Sequence, residues 1–131
     1  MNEYKPPPVS RSVAETVLTA NDFGRAMIAG PGTRADLVKI FPSASFGGPS
    51  YITTLKAPFP QIPLIASGGV REQTAREYIL AGAVAVGVGS SLVPPRAIAK
   101  REREWIRELA HRYLQLVKAA KNELPKSSSK I

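Results

Sequence analysis

The stretch "ADLVKIFPS", residues 35–43, places a lysine inside an apolar run that is otherwise typical of a buried strand. Side chains alternate between the two faces of a strand, so Leu37, Lys39 and Phe41 share one face and the intervening residues share the other. Burying an ammonium group costs free energy unless the group is paired or loses its charge. Lys39 therefore needs either a structural partner or a chemical role.

Two further apolar segments predict strands, PLIASGG at residues 63–69 and AVAVGVGSS at residues 83–91. Helical patterns separate the strands. PSYITTLK begins with a proline at residue 49, and REQTAREYIL is followed by Gly82 as a predicted C-cap. This alternating order indicates a parallel sheet with right-handed crossovers, and strands that are almost wholly apolar indicate that both faces are covered.

The remaining segments set the expected domain limits. Ser12 to Phe23 predicts a short helix, and one long helix is expected from about Pro95 to roughly Asn122. We expect a flexible proline-rich segment over residues 1–11, a folded α/β domain over 12–122 and a polar tail over 123–131.

Composition limits the class of protein. The chain has 131 residues, of which 44% are hydrophobic, enough for one domain with a core. It has no cysteine and one histidine, which excludes disulfides, thiolate metal sites and histidine-rich metal sites. No apolar run approaches the roughly 18 residues of a membrane span. The N-terminus lacks the pattern of a secretion signal. We therefore expect a cytoplasmic protein that does not contact a membrane.

The net charge of +8 raises the question of nucleic-acid binding. Much of the positive charge lies between Arg96 and Lys130, where it alternates with glutamates. No aromatic residues form a stacking platform there, and no recognition-helix pattern is present. A solvated helix face followed by a basic tail is therefore expected, rather than a nucleic-acid partner.

Two glycine-containing loops follow the second and third predicted strands, ASGGV at residues 66–70 and GVGSS at residues 87–91. Backbone N–H groups in such loops bind phosphate well. In a (β/α)8 barrel, the loops after the last two strands often hold a phosphate, and a lysine near the end of a strand faces the active site. Desolvation there can free the amine of Lys39 to attack a carbonyl. The alternative is a structural lysine paired with a carboxylate.

In combination, LVKIFP, GGPSYI, SGGV and AGAVAVGVGSSLVP resemble the C-terminal part of the 2-keto-3-deoxy-6-phosphogluconate aldolase family, which also includes 4-hydroxy-2-oxoglutarate aldolases. The resemblance is close from Ala35 to about Val93. It implies an α/β fold, specifically a partial (β/α)8 barrel with about three parallel strands, crossover helices and a long C-terminal helix. A full barrel has eight strands. The strands that carry the family's acid/base glutamate and carboxylate-binding residues have no match here.

The resemblance implies class I aldolase chemistry without a cofactor or a metal. Lys39 would form a Schiff base with a 2-keto-3-deoxy sugar acid phosphate, and cleavage would release pyruvate and an aldehyde. Phe41 and Pro42 would border the substrate. The phosphate would be bound by the two glycine loops, through Ser67, Gly68, Gly69, Gly89 and Ser90.

The missing strands leave several functional hypotheses open. The chain is either an aldolase fragment, with reduced or no activity unless another chain supplies the missing half, or a non-catalytic relic that binds sugar phosphates or self-associates. A phosphate-binding barrel enzyme without imine chemistry is a further alternative. Trimers are common in the resembled family, so a homo-oligomer is expected.

Overall fold

The computed structural model describes residues 13–16 and 37–125, with backbone placement alone for 13–16. The strands are β1 (Val13–Thr16), β2 (Leu37–Ile40), β3 (Leu64–Ser67) and β4 (Ala85–Gly87). The helices are a short 3-10 helix (Ala44–Phe46), α1 (Pro49–Lys56), α2 (Glu72–Leu80), α3 (Pro95–Ala99) and α4 (Arg103–Glu123). Residues 1–11 and 126–131, which include the predicted N-terminal segment and most of the predicted tail, lie outside the described part of the chain.

The strands form one parallel sheet of four in the order β1-β2-β3-β4. Helices α1 and α2 connect β2 to β3 and β3 to β4, as a parallel arrangement requires. The predicted α/β class is therefore confirmed. Lys39 pairs in register with Ile65 of β3, which in turn pairs with Ala85 of β4.

The core lies between one face of the sheet and the helices. Val38 and Ile40 of β2 are buried, whereas Lys39 is half-buried on the opposite face, as the alternation in the sequence predicts. The buried residues of the helices that pack here are Ile52, Leu55, Ala75, Tyr78, Leu109 and Tyr113. The opposite face is covered incompletely, since Leu37 and Ile65 are also half-buried. The sequence predicted that both faces of the sheet are covered. In the described sheet, one face is covered fully and the other only in part.

Strand β1 corrects the prediction of a helix from Ser12 to Phe23, because its first part is extended and pairs with β2. The register runs from Val13 opposite Leu37 to Thr16 opposite Ile40. Ladder hydrogen bonds to β2 outweigh a weak local helix propensity, which tertiary context often overrides. The remainder of that predicted helix lies outside the described residues.

The predicted single helix from about Pro95 is also corrected, because it is divided into α3 and α4 at residues 100–102. Arg101 has a φ of 52°, in the left-handed region. The N–H of Glu102 donates to the carbonyl of Ala97 at 2.9 Å and closes the turn. Hydrophobic spacing continues across the break, so periodicity alone does not show it. No helix in the described ranges is long and apolar enough to cross a membrane.

Helix α4 packs across α2 and reaches the loops at the end of the sheet. Leu109 and Tyr113 are buried on its inner side. The hydroxyl of Tyr113 donates to Ser91 Oγ at 3.3 Å, and Ser91 Oγ donates to the carbonyl of Val70 at 2.6 Å. Helix α4 is therefore connected, through Ser91, to both loops that follow β3 and β4.

The substitution Arg101→Gly should raise the free energy of unfolding by about 0.5–1 kcal/mol, because glycine adopts a positive φ without a Cβ clash. Urea denaturation measures the change. As a control, Arg107→Gly inside α4 should lower the free energy of unfolding by about 1 kcal/mol. Equal destabilisation by both variants would contradict a left-handed turn at residue 101.

Candidate functional site

The carboxyl ends of β2, β3 and β4 meet at one cleft of about 530 Å³. Parallel strands bring their carboxyl ends to the same edge of a sheet, where ligands of α/β folds bind. The cleft contains every residue predicted to bind substrate or phosphate: Phe41, Pro42, Ser67, Gly68, Gly69, Gly89 and Ser90. The two glycine loops therefore lie at the same end of the sheet, the carboxyl end of its strands. The roles of these residues stay predictions.

Two backbone hydrogen bonds join the end of β2 to the loop after β3. The N–H of Ser43 donates to the carbonyl of Ser67 at 2.8 Å, and the N–H of Ala44 donates to the carbonyl of Gly68 at 3.0 Å. The residues that follow the lysine strand are thereby held against the first glycine loop.

The diglycine is required by space as well as by backbone conformation. Gly68 and Gly69 have φ values of 85° and 76°. A Cβ on Gly68 would lie 2.7 Å from Pro42 Cα and 2.8 Å from the Phe41 ring. A Cβ on Gly69 would lie 2.5 Å from the Cβ of Ala44. A side chain at either position would therefore separate this loop from the end of β2.

The second loop is less confined. A Cβ on Gly89 would meet nothing within 4 Å, and Gly89 accepts hydrogen bonds from the N–H groups of Leu92 and Val93 at 2.9 and 3.0 Å. At the base of the loop the space is tight, since a Cβ on Gly87 would lie 2.7 Å from Ser67 Oγ. The glycine at 87 thus makes room for the serine hydroxyl, whereas position 89 has room for a side chain.

Lys39 lies beside the cleft rather than on its surface. Its Nζ is 5.7 Å from the centroid of the Phe41 ring. Phe41 lines the cleft and is 43% exposed. A cation at this distance from a ring is weakly stabilised by the quadrupole of the ring. The lysine and both glycine loops therefore lie near the same end of the sheet, and Phe41 lies between the lysine and the first loop.

Lys56 is a second lysine with an altered environment. Burial lowers its pKa below the ordinary value of 10.5. Its Nζ donates to the carbonyls of Pro60 and Ile62 at 2.7 and 2.8 Å, at the end of α1. It does not line the cleft. We assign it a structural role, which is to hold the loop before β3.

The structure adds Arg71 and Ser91 to the predicted site, since both line the cleft. Arg71 comes directly after ASGGV, and a cation next to a glycine loop is a signal that the sequence already carried. Ser91 ends the GVGSS motif. No group of three histidine, aspartate or glutamate side chains that could hold a metal is present in the part of the chain that is described.

The family model for KDPG and KHG aldolases matches residues 12–109 of the chain. The chain is 43% identical over 75 residues to the 2-dehydro-3-deoxy-6-phosphogalactonate aldolase of Escherichia coli (strain K12), covering 56% of this chain and 34% of that protein. It is 27% identical over 101 residues to the 2-dehydro-3-deoxy-phosphogluconate aldolase of Treponema pallidum (strain Nichols), covering 77% of this chain and 46% of the relative.

Two solved structures resemble the fold. A structure described as native KDPGal superposes with a TM-score of 0.64 at 30% identity, over 79% of this chain and 47% of the other. A designed cube-shaped cage, made by fusing symmetric oligomeric domains, gives the same TM-score and identity over 80% of this chain and 36% of the other. These matches confirm the predicted partial barrel. The chain spans about a third to a half of the length of the proteins that it matches.

Gly68→Ala and Gly89→Ala form a matched pair. Gly68→Ala should lower the free energy of unfolding by about 2–4 kcal/mol, because the added methyl group overlaps Pro42 and Phe41 and the positive φ becomes strained. Gly89→Ala should change it by less than about 0.5 kcal/mol, since its methyl group enters open space. Urea denaturation of both variants tests the assignment. Equal effects would contradict the close approach of the first loop to β2.

Proposed function

Because the chain belongs to the KDPG and KHG aldolase family, we propose that Lys39 is the Schiff-base lysine of a class I aldolase acting on a 2-keto-3-deoxy sugar acid phosphate. One observation carries the proposal. The Nζ of Lys39 lies 5.7 Å from the ring of Phe41, and Phe41 lines the cleft that both glycine loops share. An amine beside an anion-binding cleft suits a substrate that has a keto group at one end and a phosphate at the other.

In the proposed reaction, the neutral amine of Lys39 adds to the C2 carbonyl, and loss of water gives an imine. The protonated imine accepts the electron pair of the C3–C4 bond while a base removes the proton of the C4 hydroxyl, and an aldehyde leaves. The enamine then takes a proton at C3, and water hydrolyses the imine to release pyruvate and the lysine. The imine is the electron sink, so the proposed steps use neither a metal nor a cofactor.

The phosphate of the substrate would be bound by the two loops. The available donors are the hydroxyl groups of Ser67 and Ser90 and the backbone N–H groups of the glycines. The N-terminus of α2 directly follows the first loop, so its partial positive charge also favours an anion. Phe41 and Pro42 would form the apolar side of the substrate site.

Among residues 37–125, the cleft is lined by no carboxylate that could transfer the proton in this reaction. General acid–base assistance contributes roughly a hundred- to ten-thousand-fold in rate. We therefore propose reduced or no turnover by this chain alone, and a second copy or another chain that completes the site. A cytoplasmic homo-oligomer, a trimer by the resemblance, is part of the same proposal.

Borohydride trapping tests the role of Lys39. Reduction of the protein in the presence of pyruvate should leave a stable secondary-amine adduct on Lys39, detected by peptide mass spectrometry. Lys39→Arg should abolish this adduct, because a guanidinium does not form the imine. Lys56→Arg is the control and should retain it. Failure to modify residue 39 in the unsubstituted protein would refute the Schiff-base proposal.

Pyruvate release tests turnover separately from imine formation. In a coupled assay with the phosphorylated substrate, we expect a rate at least about 100-fold below that of a full-length relative, because no carboxylate among residues 37–125 lines the cleft to transfer the proton. A rate equal to that of the relative would show that the chain carries its own proton-transfer group.

A non-catalytic sugar-phosphate-binding relic is the second candidate. It is favoured by a cleft that contains both glycine loops but, among residues 37–125, no carboxylate. Calorimetric titration with the phosphorylated 2-keto acid separates the two. An aldolase site should lose affinity in Lys39→Ala, because the imine contributes to binding. Unchanged affinity, together with no adduct and no turnover, would favour the relic.

A further inference from the structure

Arg71 occupies the boundary between the first glycine loop and α2. Its side chain is exposed and lines the cleft together with both glycine loops. Its backbone N–H donates to Thr74 Oγ1 at 3.1 Å, which fixes the main chain at the start of the helix. The backbone of Arg71, which carries the guanidinium, is therefore fixed beside the proposed phosphate site.

Within residues 37–125, the charged groups around Arg71 do not pair with its guanidinium. An adjoining groove of about 280 Å³ is also lined by Arg71, and it contains Glu72, Glu108 and Arg112. Arg112 lies 3.9 Å from Glu72 and 3.4 Å from Glu108, so the acidic groups of this groove already have a cationic partner. Among the ion pairs within residues 37–125, none involves Arg71.

The two cavities that share Arg71 thus differ in charge. The groove contains two carboxylates beside Arg112, whereas the cleft contains hydroxyl and N–H donors and no carboxylate among residues 37–125. Neutral donors bind a hydroxyl group or a phosphate, but a guanidinium favours the phosphate through its charge and its planar pair of N–H donors. Arg71 is the cation that lines the cleft in this part of the chain.

We infer that Arg71 determines the preference of this site for phosphorylated ligands, by pairing its guanidinium with a phosphate held between the two glycine loops. This inference deepens the proposed function and rests on its phosphate site. Arg71 is a specificity residue in this assignment, because it contacts the end of the ligand that is remote from the imine.

The test compares Arg71→Gln with Arg107→Gln, which removes the same charge from α4 outside both cavities. Glycerol 3-phosphate and glycerol are titrated into the ¹⁵N-labelled protein, and the amide shifts of Gly68 and Gly69 report binding. Arg71→Gln should weaken glycerol 3-phosphate binding about three- to fivefold, the upper part of the range for an exposed ion pair. Arg107→Gln should leave it unchanged within about twofold. Arg71→Lys should restore part of the affinity, because it returns the charge without the planar fork.

Three outcomes would each overturn the inference. The affinity for glycerol 3-phosphate could be unchanged in Arg71→Gln, or reduced equally in Arg107→Gln, or glycerol 3-phosphate could cause no amide shift in the unsubstituted protein. Borohydride trapping with pyruvate, performed on the same variants, distinguishes this result from failure of the proposed aldolase. A specific loss in Arg71→Gln without any adduct on Lys39 supports the phosphate role and rejects the aldolase. An adduct on Lys39 with no effect of Arg71→Gln supports the aldolase and rejects the phosphate role of Arg71.

Discussion

The close approach of the first glycine loop to the end of β2 is the constraint on which the candidate site depends. Two backbone hydrogen bonds, from Ser43 to Ser67 and from Ala44 to Gly68, hold the segments together. The absence of a side chain at Gly68 allows Phe41 to lie against the loop. Since Phe41 is also near the amine of Lys39, this contact sets the spacing between the proposed imine and phosphate positions.

A second connection extends from this contact to the surface helix α4. Tyr113 donates to Ser91, and Ser91 donates to the carbonyl of Val70, so a buried tyrosine joins the two glycine loops through one serine. A hydrogen-bonded series in a partly buried setting restricts each of its members. Movement of α4 would therefore change the width of the cleft, even though much of that helix is remote from it.

The face of the sheet that packs against helices is buried, whereas the face that bears Lys39 is only partly covered. Val38 and Ile40 are buried, whereas Lys39 and Ile65 are half-buried on a face that a full barrel would enclose. The chemical functions divide in the same way. The described part of the chain supplies an amine and a cleft that we propose to bind phosphate, and among residues 37–125 no carboxylate for the proposed proton transfer lines that cleft.

The sequence by itself determined the elements that local rules govern. Three local patterns each predicted a structure that is present: the alternation around Lys39, the proline at the start of α1, and the glycines after β3 and β4. These predictions succeed because the periodicity of a strand and the geometry of a turn are encoded within a few residues.

Tertiary structure decided the rest. Residues 13–16 became a strand because β2 offered an unpaired edge, and the long helix was divided at Arg101 even though its hydrophobic spacing continues across the turn. The inclusion of Arg71 and Ser91 in the cleft depended on how two successive strand–loop units lie side by side. These features arise from contacts between segments distant in sequence, whose free energy outweighs local propensity and leaves no local pattern.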